Sequence, residues 1–253
     1  MMGQGQFAGG VGPAFVINAL GQRVGLDLRG WAPPARPAWE TMVGGHCRLE
    51  PTKPARDAEG LYEAFALDAT GADWTYLPYG PFATTEAHRS WMEQTCAGVD
   101  PLFFTVFVEG SPKPLGLVSF LRIFPESGSI EIGHIHFGRL LQRTAAATEA
   151  IFLLIERSFA LGYRRCEWKC DALNAPSRVA AQRFGFSYEG VFRQATVYKG
   201  RTRDTAWYSI VDGEWPALRA VFNQWLEPAN FDAQGRQQVA LASLTLPLLK
   251  QRG

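Results

Sequence analysis

The 253-residue sequence predicts an α/β (α+β) fold: a mixed, mostly antiparallel sheet containing one parallel pair and flanked by helices. Three observations predict it. Apolar runs separated by short turns fill residues 103–137, the pattern of an antiparallel meander. A long helical segment then joins two strand-like runs, and a strand, helix and strand succession of this kind makes its two strands parallel. A hairpin-like stretch and a closing helix follow, so strands resume after the crossover.

Composition narrows the class before any motif is considered. Lys plus Arg is 25 and Asp plus Glu is 24, a formal charge of +1, which leaves no basic footprint for nucleic acid or a membrane surface. The four cysteines (Cys47, Cys96, Cys166, Cys170) have no CxxC spacing and no signal-like segment opens the chain, so reduced thiols and a cytoplasmic location are expected. The apolar run Ala150–Ile155 falls far short of the roughly 20 residues of a membrane span.

Residues 1–45 are rich in Gly and Pro without a sustained period. They read as an extended arm, with Phe15, Val16, Leu20 and Trp31 available to lie on a domain surface. Residues 46–226 read as one domain. "HCRLEP" is a short strand. "RDAEGLYEAFAL" puts Leu61, Ala64 and Phe65 on one helical face, and "TTEAHRSWMEQTCAG" is a second helix with Thr84 or Thr85 to cap it and Gly98 to end it. "FFTVFVEG", "LGLVSFLRIF" and "IEIGHIHF", with "PESGS" as a turn, form the meander. Thr144–Gly162 is the long helix, about 27 Å at roughly 1.5 Å per residue, closed by its glycine. "RRCEWKCD" is the strand that follows. "APSRVAAQRFGF" is a short helix closed by Gly185, the hairpin "EGVFRQATVYKGRTRDTAWYSIV" turns at Lys199-Gly200, and Pro216 opens a last helix. Residues 227–253 carry no assignable pattern and stand as a C-terminal tail.

The junction "GRLLQRTAAATEA" (Gly138–Ala150) follows a strand and opens the long helix. A helix's first turn offers free N–H groups and the positive end of its dipole to an anion. Glycines are missing, but the small residues Thr144, Ala145, Ala146 and Ala147 leave similar clearance, and Arg143 could pair with phosphate. From the residues alone, a diphosphate cradle and an ordinary helix start both stay open, since alanines are good helix formers.

Gln142–Ala147 resembles the Gln/Arg-x-x-Gly-x-Gly/Ala acyl-coenzyme A signature of the GNAT acetyltransferase superfamily, with Ala145 and Ala147 in the glycine positions. "NAPSRVAAQRFGF" is similar to the second motif of the branch that holds the ribosomal-protein N-terminal (alanine/serine) acetyltransferases, with Asn174, Ser177, Gly185 and Phe186 in register. "YGPFATTEAHRSWM" resembles the family's substrate-side helix region, "EIGHIHF" its fourth strand and "KGRTRDTAWYSIVDGEW" its closing hairpin. The resemblance covers about Cys47–Trp225. It implies the GNAT fold, in which the fourth and fifth strands, here Ile130–Phe137 and Arg165–Asp171, are parallel and splay apart to admit acetyl-coenzyme A.

The activity implied is transfer of an acetyl group from acetyl-coenzyme A to a primary amine by direct attack, the acceptor being a protein N-terminal amine or a small molecule. The resemblance places the donor along Ile135, His136, Phe137, Gln142, Arg143, Thr144, Ala145, Ala146, Ala147, Asn174 and Ser177. The developing oxyanion would take a backbone N–H near Ile135–Phe137, freed by a bulge. Glu131 faces the same way as Gly133 and Ile135 and is a candidate base, or else a sheet-edge carboxylate in water. The superfamily's usual Tyr acid is replaced by Ala181. Ser177 is then the candidate acid that holds the thiol, with helix capping or packing as its alternative. Asn174 would bond the pantetheine arm or a water, or simply cap a helix. Tyr79, His88 and Trp91 are candidate acceptor-site residues beside Tyr76 and Phe82, although such rings also suit a core and His88 a helix surface.

His134 and His136 share a strand face at a spacing that can bind metal, but no third ligand is near in sequence and no metal is expected. Cys166 and Cys170 read as buried thiols on one strand face. Arg193, Lys199, Arg201 and Arg203 gather at the hairpin turn as a solvated face. Three rival readings stand beside the main one. The acyl group could be longer, such as succinyl. The chain could bind acyl-coenzyme A without turnover, as the missing Tyr at Ala181 allows. It could instead be a dinucleotide-binding crossover protein with Asp171 on the ribose, which the antiparallel meander argues against. A monomer and a homodimer both fit.

Overall fold

The computed structural model describes residues 14–253, in two units that divide at Ala32/Pro33. The first holds a small hairpin of β1 (Val16–Ile17) and β2 (Arg23–Val24), whose turn is fixed by the Asn18 side-chain Oδ1 accepting the N–H groups of Leu20 and Gln22. Residues 1–13 of the expected arm lie outside the described residues. Its last part, 33–45, goes with the second unit, where Glu40 pairs with Arg157 and Met42–Val43 forms a sheet strand.

The second unit is built on eight strands: β3 (Met42–Val43), β4 (Cys47–Pro51), β5 (Leu102–Val108), β6 (Gly116–Phe124), β7 (Ser129–Phe137), β8 (Arg165–Asp171), β9 (Ser187–Tyr198) and β10 (Arg201–Val211). They lie in the order β3-β4-β5-β6-β7-β8-β10-β9. Every neighbouring pair is antiparallel except β7 with β8. The helices are α1 (Pro54–Ala66), α2 (Thr85–Thr95), α3 (Ala145–Ala160), α4 (Ala175–Arg183), α5 (Trp215–Leu226) and α6 (Leu241–Thr245).

Alternation along the strands divides the apolar side chains between two cores. Phe103 and Leu117 point to one face, where Ala58, Leu61 and Phe65 of α1 and Met92 of α2 cover them. Leu102, Phe104, Val106, Val118 and Phe120 point to the other, under α3 to α6. Three helices start where a side chain accepts an otherwise unpaired N–H: Thr84 from Ala87, Thr144 from Ala147, and Asn174 from Ser177. The second helix ends at Cys96, before the expected Gly98. Gly185 ends α4 by taking the left-handed region at φ +88, where a side chain is also barred because a Cβ would lie 2.5 Å from Leu218.

The stretch 227–253 has more structure than its sequence announces. Leu241 of α6 is fully buried, and the N–H of Tyr188 on β9 donates to the Gln251 carbonyl. Leu241, Leu244 and Leu248, all in contact with the larger core, dock the stretch by burying apolar surface.

A buried carboxylate ties the crossover helix to the first turn of the sheet. Glu149 of α3 accepts the backbone N–H groups of Gly45, His46 and Cys47 at 2.7, 2.7 and 2.8 Å. Gly44 permits this approach, since a Cβ there would stand 2.3 Å from the Glu149 carboxyl carbon. Replacing Glu149 with Ala leaves three donors without their partner. Urea unfolding of that variant should show a loss on the order of 3 kcal/mol; an unchanged midpoint would contradict the role given to this carboxylate.

Candidate active site

β7 and β8 pair in parallel over Ser129–Arg165, Ile130–Cys166 and Glu131–Glu167 only. Beyond that, β8 keeps its partner β10 through Asp171, while β7 stays on β6. A wedge therefore opens between them. On its β7 wall the register with β6 slips: Gly133 faces Ser119 and His136 faces Leu117, which puts three residues of β7 where β6 advances by two. His134 absorbs the extra residue at φ +49, a region that non-glycine residues seldom adopt and that costs on the order of 1 kcal/mol. Ser119 Oγ donates to the displaced Gly133 carbonyl at 3.2 Å. His134 and Ile135 stand outside the register with both neighbouring strands. The expected bulge near Ile135–Phe137 is thus present, centred on His134.

Glu131, the expected base, sits at the base of the wedge with its side chain 4% exposed. Its Oε1 accepts from Arg122 at 2.8 Å. Its Oε2 lies 2.9 Å from Lys169 Nζ, which is also 2.7 Å from Glu167 Oε2 and lies over the Trp207 ring at 3.7 Å. The alternative of a sheet-edge carboxylate in water is therefore corrected: the position is buried because β7 is an interior strand. Burial pushes the Glu131 carboxyl up against the opposing pull of Lys169 and Arg122. Both oxygens face cations that fasten β7 to its neighbours.

At the far end of the wedge, the junction before α3 turns through Arg143 at φ +62. The N–H groups of Arg143, Ala145 and Ala146 make no hydrogen bond to the protein among the described residues, and the exposed Arg143 guanidinium has no ion pair there. Gln142 differs. Its side-chain nitrogen donates to Asp73 Oδ2 and the Phe137 carbonyl at 2.9 and 2.8 Å, so it braces the junction. Ala146 and Ala147 are buried against the core.

On the β8 wall, Asn174 caps α4 by accepting Ser177 N–H. Ser177 Oγ accepts the Trp168 indole N–H at 3.0 Å. Because an indole nitrogen only donates, the serine's own hydrogen is left to point elsewhere. Ala181 is fully buried, and Cys166 and Cys170 are buried as expected. Burial raises the Cys170 thiol, with Ser177 beside it acting in the opposite direction.

The remaining wall of the site is aromatic. Tyr79 and His134 are hydrogen-bonded, Oη to Nδ1, at 3.2 Å, with stacked rings, and Tyr79 packs on Trp91 at 4.2 Å between centroids. Phe103 lies 5.1 Å from His134. Tyr79 and Trp91 are thus brought to the bulge. His88 is not: it is fully buried behind Trp91, with Nδ1–H donating to the Ala58 carbonyl, so it neither lines the wedge nor lies on a helix surface. His136 is buried too, stacked on Phe65 at 3.7 Å with Trp74 edge-on at 4.0 Å. Near the hairpin turn, Lys199 Nζ donates to the Trp74 carbonyl at 2.7 Å and Tyr76 Oη to the Leu173 carbonyl at 3.1 Å. Lys199 therefore does more than solvate the turn, and Arg203 is partly buried rather than fully solvated.

The signal that sequence reasoning missed is the exchange of partners between distant segments. Arg122, Lys169 and Trp168 carry the geometry of the site, yet none belongs to a recognisable motif. Among the described residues no group of three or more His, Cys, Asp or Glu is placed to hold a metal, and no helix is long and apolar enough to cross a membrane.

Comparison with known proteins gives a consistent family. The family described as acetyltransferase (GNAT) domain matches residues 46–187, more than half of the chain. The crystal structure of a GCN5-related N-acetyltransferase from Brucella melitensis is 43% identical, with a TM-score of 0.84, covering 86% of this chain and 99% of that one. The microcin C7 self immunity acetyltransferase MccE, solved in complex with acetyl-CoA and AMP, is 25% identical with a TM-score of 0.58, covering 66% of this chain and 93% of that one. An uncharacterized N-acetyltransferase, p20, from Bacillus licheniformis is 31% identical over 113 residues, 44% of this chain. That match spans 63% of p20, less than two thirds of its length.

The buried histidines give stability a pH dependence whose sign is fixed. Burial lowers His134 to about 4, helped by Arg122, lowers His136 to about 3, helped by His88, and lowers His88 as well, against an ordinary 6.5. Between those values the unfolded chain binds protons that the folded chain does not, so stability is full above about 6.5 and is lost as the pH falls toward 4. Replacing His136 with Phe should make that decline shallower by up to about 1.4 kcal/mol per pH unit. Urea midpoints between pH 4.5 and 7 measure it, and identical slopes for variant and parent would contradict it.

Proposed function

Because this chain belongs to the GNAT acetyltransferase family, we propose that it moves an acetyl group from acetyl-coenzyme A to a primary amine by direct attack within one ternary complex. The observation that carries the reading is the wedge: a parallel pair that ends at Glu131–Glu167, with a bulge on one wall and an open helix start at its end. The residues present suit the donor. The N–H groups of Arg143, Ala145 and Ala146 and the Arg143 guanidinium, without partners among the described residues, match a diphosphate together with the helix dipole. The side chain of Gln142 is committed within the protein, so it contributes by holding the junction.

Acyl transfer needs donors for the oxyanion that forms on the thioester carbonyl, and these act best when fixed beforehand. A backbone N–H at the bulge, around Ile135, fills that role in this reading. The departing sulfur needs stabilisation rather than a strong acid, since a thiol's ordinary pKa is about 8.5. Ser177, its oxygen engaged by Trp168, donates its hydrogen to that sulfur and takes the place of the Tyr that Ala181 lacks. Asn174 sets the serine by capping α4. Positioning both substrates in one wedge supplies much of the remaining acceleration.

In this reading Tyr79 and Trp91 face the acceptor, which is a protein N-terminal amine, as the Asn174-to-Ser177 resemblance implies, or a small-molecule amine. The near-neutral charge offers no basic footprint for nucleic acid or a membrane surface, and four cysteines without CxxC spacing suit a reducing cytoplasm.

The test is thiol release from acetyl-coenzyme A with a panel of peptide N-termini, amino acids and polyamines. Release with at least one amine supports the reading, and tight binding without release for any amine would leave a noncatalytic coenzyme A binder. Two variants follow with it. Ser177→Ala should lower kcat by about 10- to 100-fold with little change in acetyl-coenzyme A affinity, and weaker binding with unchanged kcat would make Ser177 a binding residue. Arg143→Ala should raise the Kd for coenzyme A by roughly 5- to 10-fold, consistent with loss of one charge-assisted contact.

A further inference from the structure

We infer that His134 is the catalytic residue that accepts the proton of the attacking amine. The inference rests on the acetyl-transfer reading and deepens it by assigning the base. Its first support is position. The bulge places His134 beside the out-of-register backbone that would meet the thioester carbonyl, and the left-handed conformation sets it against Tyr79 and Phe103, both backed by Trp91, on the acceptor side. A strained non-glycine conformation held by a register slip needs surroundings that over-determine it, and such sites gather where chemistry needs them.

The second support is the state of the imidazole. One nitrogen, Nδ1, is fixed by Tyr79 Oη, while Nε2 makes no hydrogen bond among the described residues. His88 and His136 are buried with Nε2 unpartnered, whereas His134 itself is half-buried. The groups around it are Tyr79 from the segment before α2, Arg122 from β6 and Glu131 on its own strand, with Lys169 across the wedge bound to Glu131. Arg122 and burial keep the ring neutral, so a lone pair is available. The third support is exclusion: both oxygens of Glu131 already face cations, and moving a proton to it would break the fastening of β7 to β6 and β8.

The neutral amine attacks the thioester carbon, the C–N bond forms, and the carbonyl electrons move onto oxygen. The nitrogen of that adduct, now positively charged and far more acidic than a free ammonium, passes its proton to His134 Nε2. The carbonyl re-forms, the C–S bond breaks, and the thiolate leaves against Ser177, while the imidazolium returns its proton to solvent or to the thiolate. For this, Nδ1–H must donate to the Tyr79 oxygen, leaving Nε2 unprotonated. Tyr79 is then a positioning residue.

Asn tolerates the left-handed region, so His134→Asn keeps the fold while removing the base. With the amine found in the thiol-release panel, this variant should lose roughly 100-fold or more in kcat at pH 7.5, keep its acetyl-coenzyme A affinity within about threefold, and lose the acidic limb of the parent's kcat profile. Tyr79→Phe should lose less and shift that limb. Parent-like kcat and pH profile in His134→Asn, with turnover lost instead in Glu131→Gln, would overturn the assignment. Nitrogen NMR of the imidazole tests it without turnover: a proton on Nδ1 is expected, and a proton on Nε2 overturns it. If no amine is acetylated by the parent protein, the acetyl-transfer reading fails and the base assignment falls with it, whatever the tautomer.

Discussion

Pairing between β7 and β8 stops after three residue pairs, and the site exists because of that stop. A parallel pair normally satisfies its peptide groups along its whole length, and buried peptide groups do not stay unpaired without cost. Here β8 keeps one edge on β10 through Asp171 and opens the other. β7 leaves the register through a bulge, with Ser119 bonding the carbonyl that the slip exposes. What holds the stop in place is ionic. Lys169, on the diverging part of β8, reaches back to Glu131 and Glu167 at the last paired level, and Arg122 reaches Glu131 from β6. Lys169, Glu131 and Glu167 are nearly dry, so each depends on the others for its stability, while Arg122 stays half-exposed. The wedge is thus a fixed feature of the sheet.

From that wedge the two sides of the molecule take different tasks. The face under α3 and α4 is a mixed aliphatic and aromatic core with capped helix starts, and its polar groups lie at the ends: N–H groups without a partner among the described residues at one and the Ser177 hydroxyl at the other. The face under α1 and α2 is a set of touching rings, from Phe65 and Trp74 through His136 to Tyr79, Trp91 and His134. Rings of this size need few rotamers fixed for the area they bury. They set the bulge residue in a defined orientation, and the Lys199–Trp74 and Tyr76–Leu173 hydrogen bonds tie that wall to the strand hairpin and to the β8–α4 turn.

The meander, the crossover and the Lys199-Gly200 hairpin were legible because each rests on local spacing or on a turn residue. Helix starts were legible for the same reason, since Thr84, Thr144 and Asn174 cap from within three residues. The site was legible only in outline. Ser177 and the bulge region could be named by resemblance, but the Trp168 bond that orients Ser177 comes from the facing strand. Glu131 looked free because alternation gives a side chain's face and not its partners, and both its cations are supplied by other strands. His88 looked like a surface residue on an amphipathic helix because nothing local shows that Phe65, Phe82 and Trp91 close over it. The tail after Glu227 was opaque for a simpler reason: α6 has five residues, too few to show a period.

The most direct measurement is a crystal structure of the protein with acetyl-coenzyme A. The diphosphate should lie on the N–H groups of Arg143, Ala145 and Ala146, with the thioester between β7 and β8, its carbonyl oxygen toward the backbone at His134–Ile135 and its sulfur toward Ser177. A diphosphate bound away from the first turn of α3, or a thioester outside the wedge, would contradict the central claim that the interrupted β7–β8 pairing is what makes the acyl-transfer site.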